Sequence, residues 1–241
     1  MDVKEEDILG ESVYGHWYYV SKGNVIRHLL KPVAGKSVLD VGAGSGVFSK
    51  SLMNHDLVEN ARCVDTAYEV DEKLESYKGK CIRFVRSVKS ADESLVLMID
   101  VLEHVEDDLV VLKYYSDQIP SGGHVLISVP AFNFLWSGHD VFLEHKRRYT
   151  LAKLERLVNS AGLEVVKGRY FFGFLFPVVA VIRLIKRALL NAGQLSAKSD
   201  LTKSNNFVNF LLIAVHVIEL KVLFSVNRIV GLTAFCLAKK P

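Results

Sequence analysis

The 241-residue sequence is poor in several features that would assign it quickly. It has three cysteines, Cys63, Cys81 and Cys236, with no Cys-x-x-Cys spacing, which excludes a disulfide framework and a cysteine-based zinc site and fits a reducing compartment. Neither charge dominates. The 30 basic residues against 27 acidic ones leave a formal +3, far from the surplus by which a chain binds DNA or RNA electrostatically. Long apolar runs are also scarce: the stretch Tyr170–Ile182 is shorter than the about 20 residues a membrane-spanning helix needs, and Gly173 and Pro177 interrupt it. The charged segment Met1–Asp7 lacks the apolar core of a secretory signal, so the expected location is the cytoplasm.

What is present is half hydrophobic and long enough for one sizeable core, so residues 1–241 are read as one domain. Its centre is Ser37-Val38-Leu39-Asp40-Val41-Gly42-Ala43-Gly44-Ser45-Gly46, an apolar strand ending near a carboxylate, then three glycines at alternate positions, then the helical start Val47–Leu52. Such a turn needs torsions that a Cβ disfavours, and bare backbone lets a nucleoside lie close. The dinucleotide fingerprint needs a further glycine where Val47 stands, and no Gly-Lys-Ser/Thr follows the turn, so diphosphate ligands are disfavoured. From Val38 to Gly46 the stretch resembles the first motif of the class I S-adenosylmethionine (SAM) dependent methyltransferases. That resemblance implies SAM as cofactor and S-adenosylhomocysteine (SAH) as product, with Asp40, Gly42, Ala43, Gly44 and Gly46 at the methionine end.

The rest of the chain alternates strands and helices. A helix is expected within His16–Leu30, whose aromatics either cover a sheet edge or, as the resemblance implies for Trp17, close over the cofactor. Ala61–Asp65 reads as a strand ending in an acid placed to accept both ribose hydroxyls; Thr66 follows it. Cys81–Val85 is a third strand leading to Ser87 and Val88, where the resemblance implies the adenine. Ser94–Ile99 has the continuous apolar character of a strand covered on both faces, and Asp100 and Val101 at its end join the implied cofactor set. Val101–Val105 resembles the corresponding motif of small-molecule methyltransferases, including those of quinone biosynthesis. Asp107-Asp108 caps a helix, and His124–Pro130 is a fifth strand.

Ala131–Thr150 concentrates aromatic, imidazole and guanidinium groups just after a strand's carboxyl end, the edge of an open α/β sheet where ligands bind. Its Ser-Gly-His-Asp and His-Lys-Arg-Arg-Tyr-Thr strings resemble a bacterial methyltransferase subgroup, and the likeness runs from about His16 to Pro177. If the acceptor is a hydroxyl, a base is required, and the candidates are His139, oriented by Asp140, and His145. His104, Arg148 and Tyr149 are candidates for holding substrate, and Lys146-Arg147-Arg148 is either an anion site or a solvated basic face. No metal site is expected.

A sixth strand begins at Leu163, Asn191–Asn206 reads as a loop, Phe207–Ile229 as a long apolar helix, and Gly231–Ala238 as a last antiparallel strand. The expected fold is therefore α/β, a doubly wound, seven-stranded, mostly parallel sheet with an N-terminal helical segment (1–32), a cofactor-binding core (33–170) and an apolar helical addition (171–230). Those apolar helices fit core packing, a homodimer interface, or contact with a bilayer or a lipid-linked substrate. The expected activity is methyl transfer to a small-molecule or lipid-linked acceptor, at oxygen. The alternatives are a nicotinamide-dependent oxidoreductase and a SAM-binding module without catalysis.

Overall fold

The computed structural model describes residues 8–33, 35–191, 199 and 204–241, so Met1–Asp7 and most of the expected loop after Asn191 lie outside the described residues. Eight strands, β1 (Ser37–Val41), β2 (Asn60–Val64), β3 (Glu72–Tyr77), β4 (Lys80–Val85), β5 (Leu95–Ile99), β6 (His124–Pro130), β7 (Glu164–Phe171) and β8 (Thr233–Lys239), form one sheet in the order β3-β4-β2-β1-β5-β6-β8-β7. The central pairs β2–β4, β1–β2, β1–β5 and β5–β6 are parallel, whereas β8 runs antiparallel between β6 and β7. Helices accompany the strands: α1 (Trp17–Leu30), α2 (Val47–Asn54), α3 (Asp108–Gln118), α4 (Gly138–Phe142), α5 (Leu151–Ser160), α6 (Phe176–Asn191) and α7 (Asn206–Val222).

Strand side chains alternate between two cores. Val38, Leu95, Leu97, Leu126 and Phe235 join α1, α2 and Phe224 on one face. Leu39, Val96, Met98, Val125, Ile127 and Cys236 join Leu112 of α3 and Leu151, Leu154 and Val158 of α5 on the other. Every residue of β5 is buried, as a strand covered by helices on both faces requires.

Two expectations are corrected among the described residues. The sheet has eight strands, not seven, because Glu72–Tyr77 pairs antiparallel with β4 through a two-residue turn in which Lys78 and Gly79 both have positive φ, 53° and 78°. This edge strand is largely exposed and carries charged residues, so it shows little apolar alternation. The helix expected over 207–229 stops at Val222. Asn227 organises the turn beyond, donating to the Tyr170 and Val230 carbonyls (3.2 and 2.7 Å) and accepting from the Ile229 and Val230 amides (3.2 and 3.3 Å).

The α7 helix lies along α1. Asn209 accepts from the Trp17 amide at 2.7 Å and donates to the Gly15 carbonyl at 2.9 Å, and Ser21 meets His216 at 3.3 Å. Among the described residues no helix is long and apolar enough to cross a membrane.

Candidate active site

The glycine turn takes the backbone form its sequence demands. Gly42, Gly44 and Gly46 have φ of 64°, 52° and 72°, a region costly for a residue with a Cβ. A Cβ on Gly46 would also stand 3.3 Å from both Cys63 Sγ and the Phe84 ring. Asp65 accepts from the Gly44 amide at 3.1 Å and the Ala67 amide at 3.0 Å, while the Tyr68 hydroxyl donates to the Gly44 carbonyl at 2.7 Å. Behind the turn, Asp40 is buried and accepts from Ser49 Oγ at 2.7 Å; burial pushes its carboxyl up to about 6 against the pull of that hydrogen bond. Ser87 is exposed, and Val88 is buried with its carbonyl accepting from Tyr114 at 2.5 Å.

A cavity of about 310 Å³ opens at the carboxyl ends of β5, β6 and β7. Trp17, Tyr18 and Phe172 form its aromatic side, and α6 supplies Val179, Ile182, Arg183 and Lys186. Asp100, at φ 55°, forms an ion pair with the fully buried Lys22 of α1 and accepts from Ser128 Oγ at 3.0 Å. Burial pushes Asp100 upward, but Lys22 overrides it and holds the carboxylate below its usual range.

The opposite side carries Glu103, His104, His139, His145 and Arg148. Asp140, fully buried in the capping box of α4, organises it. Its Oδ1 accepts from Arg148 Nε at 2.6 Å and His145 Nδ1 at 2.9 Å, and its Oδ2 accepts from Arg148 Nη2 at 3.0 Å and the Ser137 amide at 2.9 Å. Arg148 spends its remaining amino group on the Ala131 carbonyl at 3.0 Å. The His145 ring lies 4.8 Å from that of His104 and 6.3 Å from that of His139. Burial and His145 lower His104 to about 4. Glu103 is buried, its carboxylate oxygens have no hydrogen-bond partner among the described residues, and burial beside Asp100 raises its pKa well above the usual range.

Against this geometry stand the comparisons with known proteins. The family model described as a methyltransferase domain matches residues 14–167. The chain belongs to this methyltransferase family. It is 24% identical over 202 residues to a protein named ubiquinone biosynthesis O-methyltransferase from Cupriavidus pinatubonensis, covering 70% of this chain and 80% of that one. A Vibrio parahaemolyticus protein of the same name is 29% identical over 133 residues, covering 51% of this chain and 55% of that one. Among solved structures, a SAM-dependent methyltransferase from Archaeoglobus fulgidus shares the fold at a TM-score of 0.57 and 16% identity, with 98% of each chain covered. The protein is thus a class I SAM-dependent methyltransferase, and the oxidoreductase alternative is set aside.

Within the methyltransferase, the structure brings Trp17, Asp100, His104, His139, His145 and Arg148 to the same cavity. Gly44 lines another, of about 440 Å³, with Ser45, Tyr68 and Phe84. Neither cavity includes Thr66, Ser87, Val88 or Val101. Three placements differ from expectation. Asp140 accepts from the His145 ring at 2.9 Å. Tyr149 is buried beneath the loop, its hydroxyl 2.7 Å from Asp108 and 3.1 Å from the Leu102 carbonyl, away from the cavity. In the Lys146-Arg147-Arg148 run each cation has an acidic neighbour: Lys146 pairs with Glu106 at 2.7 Å, Arg147 with Asp108 at 3.1 Å, and Arg148 with Asp140. Sequence reasoning passed over Lys22, Glu103, Arg183 and Lys186. Glu103 lies inside the Val101–Val105 motif, and the signal for α6 is a basic residue recurring at helical spacing in an apolar segment.

Proposed function

We propose that this methyltransferase transfers the methyl group of SAM to a hydroxyl oxygen of a small or lipid-linked acceptor held in the 310 Å³ cavity. The observation that carries the reading is the His145 imidazole on the cavity wall, with its Nδ1 tied to buried Asp140. Methyl transfer is an in-line displacement: the acceptor oxygen attacks the methyl carbon, the carbon–sulfur bond breaks and SAH leaves. The protein's task is alignment and removal of the hydroxyl proton, and imidazoles on the cavity wall suit it. The relatives named as O-methyltransferases support oxygen as the acceptor atom.

The cofactor residues fit an extended ligand. Asp40–Gly46, Asp65–Thr66, Ser87–Val88 and Asp100–Val101 follow the carboxyl ends of β1, β2, β4 and β5, four neighbours in the sheet. SAM laid along that edge has adenine near Ser87 and Val88, ribose on Asp65, methionine over the glycines, and the methyl group toward Asp100 and the cavity. The apolar side chains of α6 on the cavity wall suit an acyl or isoprenoid tail. The outward stripes Val178, Val181, Ile185 on α6 and Phe207, Leu211, Ile218 on α7 suit contact with a bilayer that holds such an acceptor.

Calorimetric titration of the protein with SAH tests the cofactor reading, with Asp65→Asn as control. Micromolar binding lost in a variant with unchanged thermal unfolding supports it; absent binding by the folded wild type sinks it. Turnover with an acceptor found by screening phenols and lipid-linked hydroxyls is expected to fall at least 100-fold in His145→Gln while SAH affinity holds, the scale on which a positioned acid–base group contributes.

A further inference from the structure

Glu103 poses a problem that the methyl-transfer reading does not answer. A carboxylate that is 1% exposed and has no hydrogen-bond partner among the described residues is costly to bury, and such groups persist where a ligand satisfies them. Its immediate neighbours are two imidazoles. One ligating atom from each of Glu103, His104 and His145 falls within 4.8 Å of the others. The chain is tied to produce this approach, since the Lys146 amide donates to the Glu103 carbonyl at 2.7 Å and so pins the residue after His145 beside Glu103.

We propose that Glu103, His104 and His145 bind one divalent transition-metal ion, of the zinc type, on the wall of the acceptor cavity. Two imidazoles and one carboxylate are the donor set of catalytic zinc sites, which keep a fourth position for water or substrate, and imidazole disfavours calcium and magnesium. The second shell is in place: metal-bound histidines donate their other ring nitrogen to a carboxylate, as His145 Nδ1 does to Asp140 at 2.9 Å. In a tetrahedral site with bonds of about 2 Å the ligand atoms stand roughly 3.3 Å apart, so the three side chains need to draw together by about 1.5 Å at most. The cluster faces the cavity through all three residues. The open position therefore takes an acceptor oxygen, whose proton is released more readily once bound to the ion. His139, on the same wall, is the imidazole left to receive it.

The inference rests on the cavity being the acceptor site, but its test does not use activity. Protein stripped with a chelator and dialysed is titrated with zinc chloride by calorimetry and with cobalt(II) by visible absorption. The expected result is one ion per chain, a cobalt spectrum of low coordination number, and a rise in thermal midpoint with zinc. Glu103→Gln removes the charge and keeps the shape. It is expected to bind zinc at least 10-fold more weakly, to lose the metal-induced rise, and to keep SAH affinity. If folded wild type binds neither ion, or Glu103→Gln binds zinc as tightly as wild type, the site does not exist. In that case His145 remains the base and the methyl-transfer reading stands; failure of SAH binding with zinc binding intact would overturn only the latter.

Discussion

At the scale of single residues, the site is organised by one carboxylate that never touches the cavity. Asp140 holds Arg148 through both oxygens and His145 through one, so it fixes a loop and an imidazole together. Removing its charge leaves a buried guanidinium uncompensated, a change of about 3–5 kcal/mol by the behaviour of broken buried pairs. Asp140→Asn is therefore expected to unfold at much lower urea, whereas His145→Gln, which keeps the Asp140–Arg148 pair, shifts the midpoint little. Equal stability of Asp140→Asn and wild type would show that the pair is not structural. His216 makes a second residue-scale case. It is buried against Trp17, Phe171, Phe172 and Ser21, and burial lowers it to about 4. Unfolded histidine titrates near 6.5, so between those values only the unfolded chain takes up the proton and stability falls as pH drops. At about 1.4 kcal/mol per unit the loss approaches 3 kcal/mol. Thermal unfolding from pH 7 to 4 should show a gentler decline in His216→Phe; parallel curves would exclude this contribution.

Elements were legible where a strand is buried on both faces or a turn needs glycine. β5 could be read as a central strand because its apolar run follows from burial on both sides, and Gly42–Gly46 could be read as a ligand turn because alternate positive φ values leave few other residues. β3 could not, since an exposed edge strand is stabilised by backbone pairing and a two-residue turn. The end of α7 was hidden for a related reason: the turn beyond Val222 is held by Asn227, which donates to the carbonyl of Tyr170, distant in sequence. The same limit applied to the loop after β6. Which histidine faces Asp140, and that Tyr149 turns inward to Asp108, are settled by pairings that spacing does not encode. For the glycine turn the element-scale prediction is direct. Gly46→Ala places a Cβ at φ 72° and 3.3 Å from Cys63 and Phe84, costing about 1–2 kcal/mol in strain before any packing shift. SAH affinity should fall more than 10-fold while the protein remains folded by circular dichroism; unchanged affinity would place the cofactor elsewhere.

At the scale of the whole molecule, the helices at the carboxyl edge of the sheet are poorly covered on their outer side. On α6, Val178, Val181, Ile185 and Leu189 recur at helical spacing and are exposed; on α7, Phe207, Leu211, Ile218 and Val222 do the same, with Phe207 74% exposed. Arg187 accompanies the first stripe and is exposed. A bilayer with anionic headgroups satisfies both features: apolar side chains enter its boundary, and each cation near its surface adds about 1 kcal/mol. A second copy of the chain would satisfy only the apolar part, because it would bring the same cation to meet its like. Co-sedimentation with vesicles of mixed neutral and anionic phospholipid is therefore expected, weakened by high salt. Phe207→Ser with Phe210→Ser should reduce it at any salt, and Arg187→Ser chiefly at low salt, since neither change touches the cavity lining. Sedimentation velocity distinguishes the competing case: a concentration-dependent dimer abolished by Phe207→Ser, together with no vesicle binding, would assign the face to self-association and leave the lipid-linked acceptor without support.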